Sequence, residues 1–249
     1  VKAGLKVIVA KPGAKLPGGE IKNGVIRGVE SNGMICSLLE LGVDPKSLTD
    51  YQKAGIEELG DDAVVGTDPL AYLGLDDTLI DIGLTPNRSD CLASFALAKE
   101  LGAILHREVK LPEFEGASDI GEPTNLKVSA TTEKCPLFLG KVIKEVTIKP
   151  SPKWIQEILH AAGVKAINNV VDISNLVMLE TGQPLHFYDA DKLNNELIVR
   201  NSKQSEKLVT LDNIERTLSD TDIVIATGET AIGLAGVMGG LETEITNDT

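Results

Sequence analysis

Glu196-Leu197-Ile198-Val199-Arg200 reads as a strand, and Lys207 to Leu211 and Asp222 to Ala226 read as two more. Upstream of them lie two helical patterns. Ser151-Pro152 offers a cap and a first-turn proline, Ile155, Ile158, Leu159 and Ala162 form an apolar stripe, and Gly163 is a good stop. Val170 to Glu180 reads as the second helix, ended by Gly182 and Pro184. Before both, Phe138 to Ile148 reads as a long strand. The pattern predicts an α+β domain, a mixed sheet flanked by helices over 151–162 and 170–180.

Working outward, Pro112 to Pro123 carries Glu113, Glu115, Asp119 and Glu122 among small residues and is the best linker candidate. The first 42 residues read as β. Leu5 to Ala10 and Val25 to Glu30 are expected strands, and Ser31-Asn32-Gly33 is a tight turn feeding Met34-Ile35-Cys36. This small sheet is expected to begin inside a β-barrel. Residues 43–76 are acidic and turn-rich, with Asp44-Pro45 and Asp68-Pro69 as breakers. Thr78 to Ile82 alternates like a strand. Ser89 or Asp90 can then cap a helix whose Leu92, Phe95, Ala98, Leu101 and Leu105 are expected to be a buried stripe.

Composition narrows the function classes. The 249 residues (26.5 kDa) carry a formal net charge of −13 and a pI near 4.7, a balance that disfavours nonspecific wrapping of nucleic acid. Local contacts through a few amides and lysines stay open. Aromatics make up 3%, too few for a broad base-stacking platform. No window approaches about 18 uninterrupted apolar residues, so no membrane-spanning helix is expected. Val1 to Gly4 does not open an export leader. Cys36, Cys91 and Cys135 are far apart, with no C-x-x-C pair and no sequence-adjacent His, so neither a disulfide framework nor a zinc cluster is expected. The expected compartment is the reducing cytosol.

The most unusual segment is Gly233-Leu234-Ala235-Gly236-Val237-Met238-Gly239-Gly240, with four glycines in eight residues. Such a backbone can approach a ligand closely and present its amides. It lacks the Gly-Lys-Ser/Thr ending of a P-loop and the G-x-G-x-x-G spacing of a dinucleotide site. A bulged strand whose glycines serve packing alone is the other reading. His186, in Gly182-Gln183-Pro184-Leu185-His186-Phe187-Tyr188-Asp189, follows a helix stop. It could bind a carbonyl or phosphate or move protons, or it could be a structural histidine on a backbone carbonyl. His106 and His160 look like plain surface. No serine sits in a nucleophile elbow, and Asp172, Asp189, Asp191 and Asp212 share no metal-loop spacing and read as caps, turns and solvated faces. Lys165, between the helices, could meet a phosphate or simply be an exposed loop lysine.

Arg27-Gly28-Val29-Glu30-Ser31-Asn32-Gly33-Met34-Ile35-Cys36 resembles the end of the oligonucleotide-binding (OB) fold module of bacterial synthetases. Four later segments, in order and spacing, resemble the family of bacterial phenylalanyl-tRNA synthetase β chains. They are Leu84-Thr85-Pro86-Asn87-Arg88-Ser89-Asp90-Cys91-Leu92, Val170-Val171-Asp172-Ile173-Ser174-Asn175, Gly182-Gln183-Pro184-Leu185-His186 and Gly236-Val237-Met238-Gly239-Gly240. The resemblance covers essentially the whole chain.

It implies the end of an OB-type barrel over 1–42, a connector over 43–111, a linker over 112–123, and over 124–249 a B3/B4-type mixed-sheet editing domain truncated at its C-terminus. It further implies a cytoplasmic α2β2 ligase whose α chain charges tRNA with phenylalanine, using ATP and magnesium. The β chain then contacts tRNA and hydrolyses tyrosyl-tRNA made in error. His186 matches the family's editing-site histidine, and Gly236 and Gly239 match glycines of the same pocket. Lys165 falls where many members have an arginine thought to meet the tRNA end. It keeps the positive charge but loses the bidentate fork. The glutamate that recognises the tyrosine hydroxyl is expected shortly after Thr249. No cofactor or metal is expected within this span. On this reading the glycine strand walls the pocket, and a Cβ at Gly239 would intrude into the substrate's volume. A tRNA-binding scaffold with a degenerate pocket is the alternative.

Overall fold

A computed structural model describes residues 1–113 and 123–249. Of the linker candidate, residues 112–123, only 112, 113 and 123 lie among them. The chain forms two compact units, one of residues 1–82 and 153–166, the other of residues 83–152 and 167–249.

The first unit opens with seven short strands. These are β1 (Lys6–Val7), β2 (Val9–Ala10), β3 (Lys15–Leu16), β4 (Gly19–Glu20), β5 (Gly24–Ile26), β6 (Val29–Ser31) and β7 (Met34–Ile35). The short helices α1 (Asp50–Lys53) and α2 (Pro69–Tyr72) follow, with β8 (Glu58–Leu59) between them. Then come α3 (Ser94–Leu105), β9 (Lys127–Ala130), α4 (Lys153–Ala161) and α5 (Asn169–Thr181), of which α4 belongs to the first unit. The chain ends through β10 (Glu196–Asn201), β11 (Lys207–Val209), β12 (Glu215–Thr217), β13 (Ile223–Thr227), β14 (Thr230–Leu234) and β15 (Met238–Gly239).

Strands of the first unit pair two by two, β1 with β8, β2 with β7, β3 with β4 and β5 with β6, all antiparallel. Its core is Ile8, Ala10, Cys36, Leu38 and Leu48. The single strand expected over Val25–Glu30 is instead the β5–β6 hairpin. Arg27 and Gly28 at its tip both take positive φ (52° and 81°), the conformation a tight hairpin turn requires at its two central residues. No strand forms at Thr78–Ile82. Leu79 and Ile80 there are each 73% exposed, because alternation makes a strand only where a neighbour completes the ladder.

The second unit is built on a five-stranded sheet in the order β15-β14-β13-β10-β9. β9 runs parallel to β10 and the remaining pairs are antiparallel, so the sheet is mixed as expected. Leu197, Val199, Val224, Ala226, Ala231 and Ile232 are buried on it. The long strand expected at Phe138–Ile148 is absent. Lys127–Ala130, unmarked by the sequence reading, takes the edge beside β10 instead.

α5 starts where Asn168 Oδ1 accepts the amides of Val170 and Val171, and it ends at Gly182 in the left-handed region (φ 75°). Asp172 in its first turn is buried, not solvated. Its carboxylate accepts the Ser151 hydroxyl at 2.5 Å and the Ile167 amide at 2.7 Å. α3 also departs from expectation. Ser89 and Asp90 lie in a 3-10 turn before it, and Ala93 begins the helix with no side-chain cap. Asp90 is held by Arg88, which also reaches Glu100. The stripe on α3 is not buried, since Leu92, Leu101 and Leu105 are exposed. Gly102 is the buried position, against Val109.

Candidate functional site

The site begins with a pair of glycines. β14 and β15 form a hairpin in which Gly233 stands opposite Gly239. Residues directly opposite in an antiparallel pair point to the same face, so this face lacks two side chains in a row. The main chain around Gly239 is firmly held. Its carbonyl accepts the Leu211 amide at 3.1 Å, and the next residue, Gly240, donates to the Ile232 carbonyl at 2.8 Å. Gly240 is tied down sterically as well, since a Cβ there would come within 2.6 Å of the same carbonyl oxygen.

The segment after α5 covers the bare face. It is anchored at Gly182, whose amide donates to Met178, and at buried Asp189, whose amide donates to the Thr243 carbonyl at 3.1 Å. The Asp189 carboxylate caps the turn Ala190–Lys192 and accepts the Thr249 hydroxyl. Between these anchors the imidazole of His186 lies on Gly239. A Cβ on that glycine would stand 2.3 Å from Cε1 and 2.5 Å from Nε2. Tyr188 meets the imidazole edge to face, with ring centroids 4.5 Å apart and planes at 69°. The Tyr188 hydroxyl lies 3.5 Å from where a Cβ of Gly233 would be. One aromatic ring therefore rests beside each glycine of the pair.

Electrostatics follow from packing. Loss of solvation against the glycine strand and Tyr188 lowers the pKa of His186 below the ordinary imidazole value of 6.5, and no charged side chain contributes. The ring is therefore neutral at pH 7. Burial pushes the Tyr188 phenol well above its ordinary range, so it also stays neutral. Neither nitrogen of His186 is hydrogen-bonded to a described residue, and His186 remains exposed. A neutral imidazole held by packing, with neither nitrogen hydrogen-bonded to a described residue, can orient a carbonyl, a hydroxyl or a water.

The structure thus brings His186 and Gly239 together, with one change from expectation. The space over Gly239 is taken by the imidazole itself, so a Cβ there would strike the ring first. Gly236 sits in the exposed turn between β14 and β15 at φ 71°, and a Cβ there would meet nothing within 4 Å. Its glycine answers to the turn conformation. Lys165 belongs to the first unit, where it is exposed and lines a recess of about 310 Å³ with Thr49, Gln52, Glu57 and His160. The sequence reading gives Tyr188 no role, and it names Gly233 only as one of the four glycines of its segment. The available signal was their spacing, Tyr188 two residues from His186 and Gly233 six before Gly239 across a turn. Among the described residues no group of three or more His, Cys, Asp or Glu side chains gathers where a metal ion could be held. Nor is any helix among them long and apolar enough to cross a membrane.

Residues 134–249 match the B3/4 domain family. The whole chain aligns with the phenylalanine–tRNA ligase β subunits of Geobacillus kaustophilus and Bacillus subtilis, each 47% identical over 254 aligned positions. It also aligns with that of Streptococcus thermophilus, at 44% over 253. Along its whole length the chain is similar to phenylalanine–tRNA ligase β subunits. It spans about a third of the length of these relatives, 32% of the first two and 31% of the third, while they cover all of it. An N-terminal fragment of the phenylalanyl-tRNA synthetase β subunit from Pyrococcus horikoshii matches distantly. That match has a TM-score of 0.34 and 14% identity, over 73% of this chain and 58% of that one. The His186–Gly239 contact lies inside the B3/4 span, as do Tyr188, Gly233 and Lys165.

Proposed function

We propose that this chain is part of the β chain of an α2β2 phenylalanine–tRNA ligase, and that residues 124–249 carry most of a pocket that hydrolyses mischarged tyrosyl-tRNA. The observation that carries the reading is the neutral imidazole of His186 seated on Gly239 with both nitrogens unengaged by described residues. Hydrolysis of an aminoacyl ester needs no protein nucleophile. Water oxygen bonds to the ester carbonyl carbon, the bond from that carbon to the terminal ribose oxygen breaks, and the ribose oxygen takes up one of the water's protons while the other is released as the amino acid leaves with a free carboxylate. His186 orients the ester or the ribose hydroxyl for this attack, a task in which placement supplies the rate. Discrimination against phenylalanine comes from hydrogen-bonding the tyrosine hydroxyl, a device worth about 10⁴-fold or more. On the family resemblance a glutamate supplies that hydrogen bond.

On the same reading, residues 1–42 end an OB-type module that contacts tRNA, residues 43–111 connect it onward, and residues 112–123 link to the editing domain. Gly236 joins the pocket, and Lys165 meets the tRNA end, by family correspondence alone. ATP and magnesium serve the α chain's charging reaction in the cytoplasm, and no step above runs through them. A scaffold that binds tRNA without hydrolysis is the second reading, favoured by one fact: the imidazole fills the space over Gly239. The two are separated by measuring deacylation of tyrosyl-tRNA by an α2β2 enzyme whose β chain carries this sequence. Editing predicts hydrolysis in the parent and a loss of roughly 10²-fold or more in His186→Ala. A parent that binds tRNA yet clears no tyrosyl-tRNA, or a variant that clears it at the parent rate, removes the editing reading.

A further inference from the structure

We infer that Tyr188 is a positioning residue that fixes the imidazole of His186 over Gly239. The inference rests on the editing reading for its functional consequence, and on geometry alone for the placement. His186 is exposed, and no hydrogen bond to a described residue fixes either ring nitrogen. Such a side chain would ordinarily sample several rotamers. Two things hold it: the missing Cβ of Gly239 beneath it and the Tyr188 ring at its edge, 4.5 Å away at 69°. Edge-to-face geometry is the orientation that aromatic quadrupoles favour.

Tyr188 can hold its neighbour because it is itself held. It is half-buried, it rests beside Gly233, and it directly precedes Asp189, whose buried side chain and amide tie the segment to Thr243 and Thr249. Order thus passes from Asp189 to Tyr188 to His186. The same contact removes water from the imidazole. The strands beneath present Gly233 and Gly239 to these rings, and among the described residues the Tyr188 phenol is the titratable group in ring contact with the imidazole. The aromatic ring is what matters, since its hydroxyl makes no hydrogen bond to a described residue.

The test separates placement from chemistry. The 249-residue chain has three histidines, so the His186 resonances are assigned by single replacement and followed against pH by NMR. The parent is expected to show His186–Tyr188 ring contacts by nuclear Overhauser effect and a His186 midpoint below 6.5. Tyr188→Leu is expected to abolish the ring-current shift and move the midpoint toward 6.5, while Tyr188→Phe leaves both unchanged. In the α2β2 enzyme, Tyr188→Leu is expected to lower kcat for tyrosyl-tRNA deacylation about 10–100-fold with KM nearly constant, and to move the acid limb of the pH profile upward. Tyr188→Phe is expected to restore both. Absence of the ring contacts in the parent overturns the inference, even if Tyr188→Leu fails to fold. So does an unmoved His186 midpoint in a folded Tyr188→Leu. If the NMR behaves as expected while His186→Ala leaves deacylation intact, the placement stands and the editing reading falls.

Discussion

Adding one methyl group at Gly239 tests the site most directly. The φ of Gly239 lies outside the left-handed region, so alanine meets no backbone penalty, and its effect is confined to the Cβ. That atom would stand 2.3 Å from Cε1 of His186, where ordinary contact begins at 3.4 Å, so the ring must withdraw by about 1.1 Å. His186 is exposed and can swing outward, which keeps the stability cost near the low end of overpacking, about 1–2 kcal/mol. For a chain of this size that is a fall in Tm of roughly 2–8 °C. The catalytic cost is expected to be larger, because a displacement of about 1 Å can cost 10²-fold in rate. Gly239→Ala should therefore lower deacylation of tyrosyl-tRNA in the α2β2 enzyme by about 10–100-fold while the protein stays folded. In a His186→Ala background the same methyl meets no ring, and its cost in Tm should vanish, giving a coupling of about 1–2 kcal/mol in the double-mutant cycle. A parent-like rate in Gly239→Ala, or a Tm cost that persists without the imidazole, would refute this geometry.

Two further outcomes concern the frame around the site. Arg200 and Glu206 form a two-pronged ion pair (2.7 and 2.9 Å) with side chains only 14% and 11% exposed, and the pKa of Glu206 is lowered to about 2, first by its hydrogen bond to Arg200. The ordinary value is 4.5, so the pair's contribution is full above that pH and is lost as pH falls toward 2. Urea midpoints measured across that window should show the parent losing on the order of 2 kcal/mol more than Glu206→Gln, and parallel pH profiles would contradict the assignment. Asp172→Ala strips the acceptor from the Ser151 hydroxyl and the Ile167 amide and should cost about 2–4 kcal/mol in urea unfolding. A cost below about 1 kcal/mol would mean the carboxylate does not hold this junction.

What the sequence disclosed and what it hid divide along a physical line. α5 was legible to within a residue at each end because its stop signals, Gly182 and Pro184, are local. β10 and β13 were legible as apolar runs between polar ends. Phe138–Ile148 and Thr78–Ile82 carry the same local pattern, yet find no ladder partner, and a strand is decided by its neighbour. Lys127–Ala130 shows the converse: a modest four-residue run becomes a strand because β10 offers an edge. Asp172 looked like any first-turn acid, and only the tertiary fold brings Ser151 and the Ile167 amide to it. At the site, glycine spacing and a histidine after a helix stop were visible. That the glycine serves the imidazole, and that Tyr188 completes the contact, depends on the register of β14 against β15.

Most histidines poised for chemistry have one nitrogen claimed by a carboxylate or carbonyl, and that claim dictates which nitrogen bears the hydrogen. His186 is held by the Tyr188 ring and lies over a bare α-carbon with Nε2 the nearer nitrogen, and no hydrogen bond to a described residue assigns the hydrogen to either one. The choice of tautomer therefore passes to whatever docks there. A carbonyl would draw the N–H toward itself, and a hydroxyl would draw the lone pair.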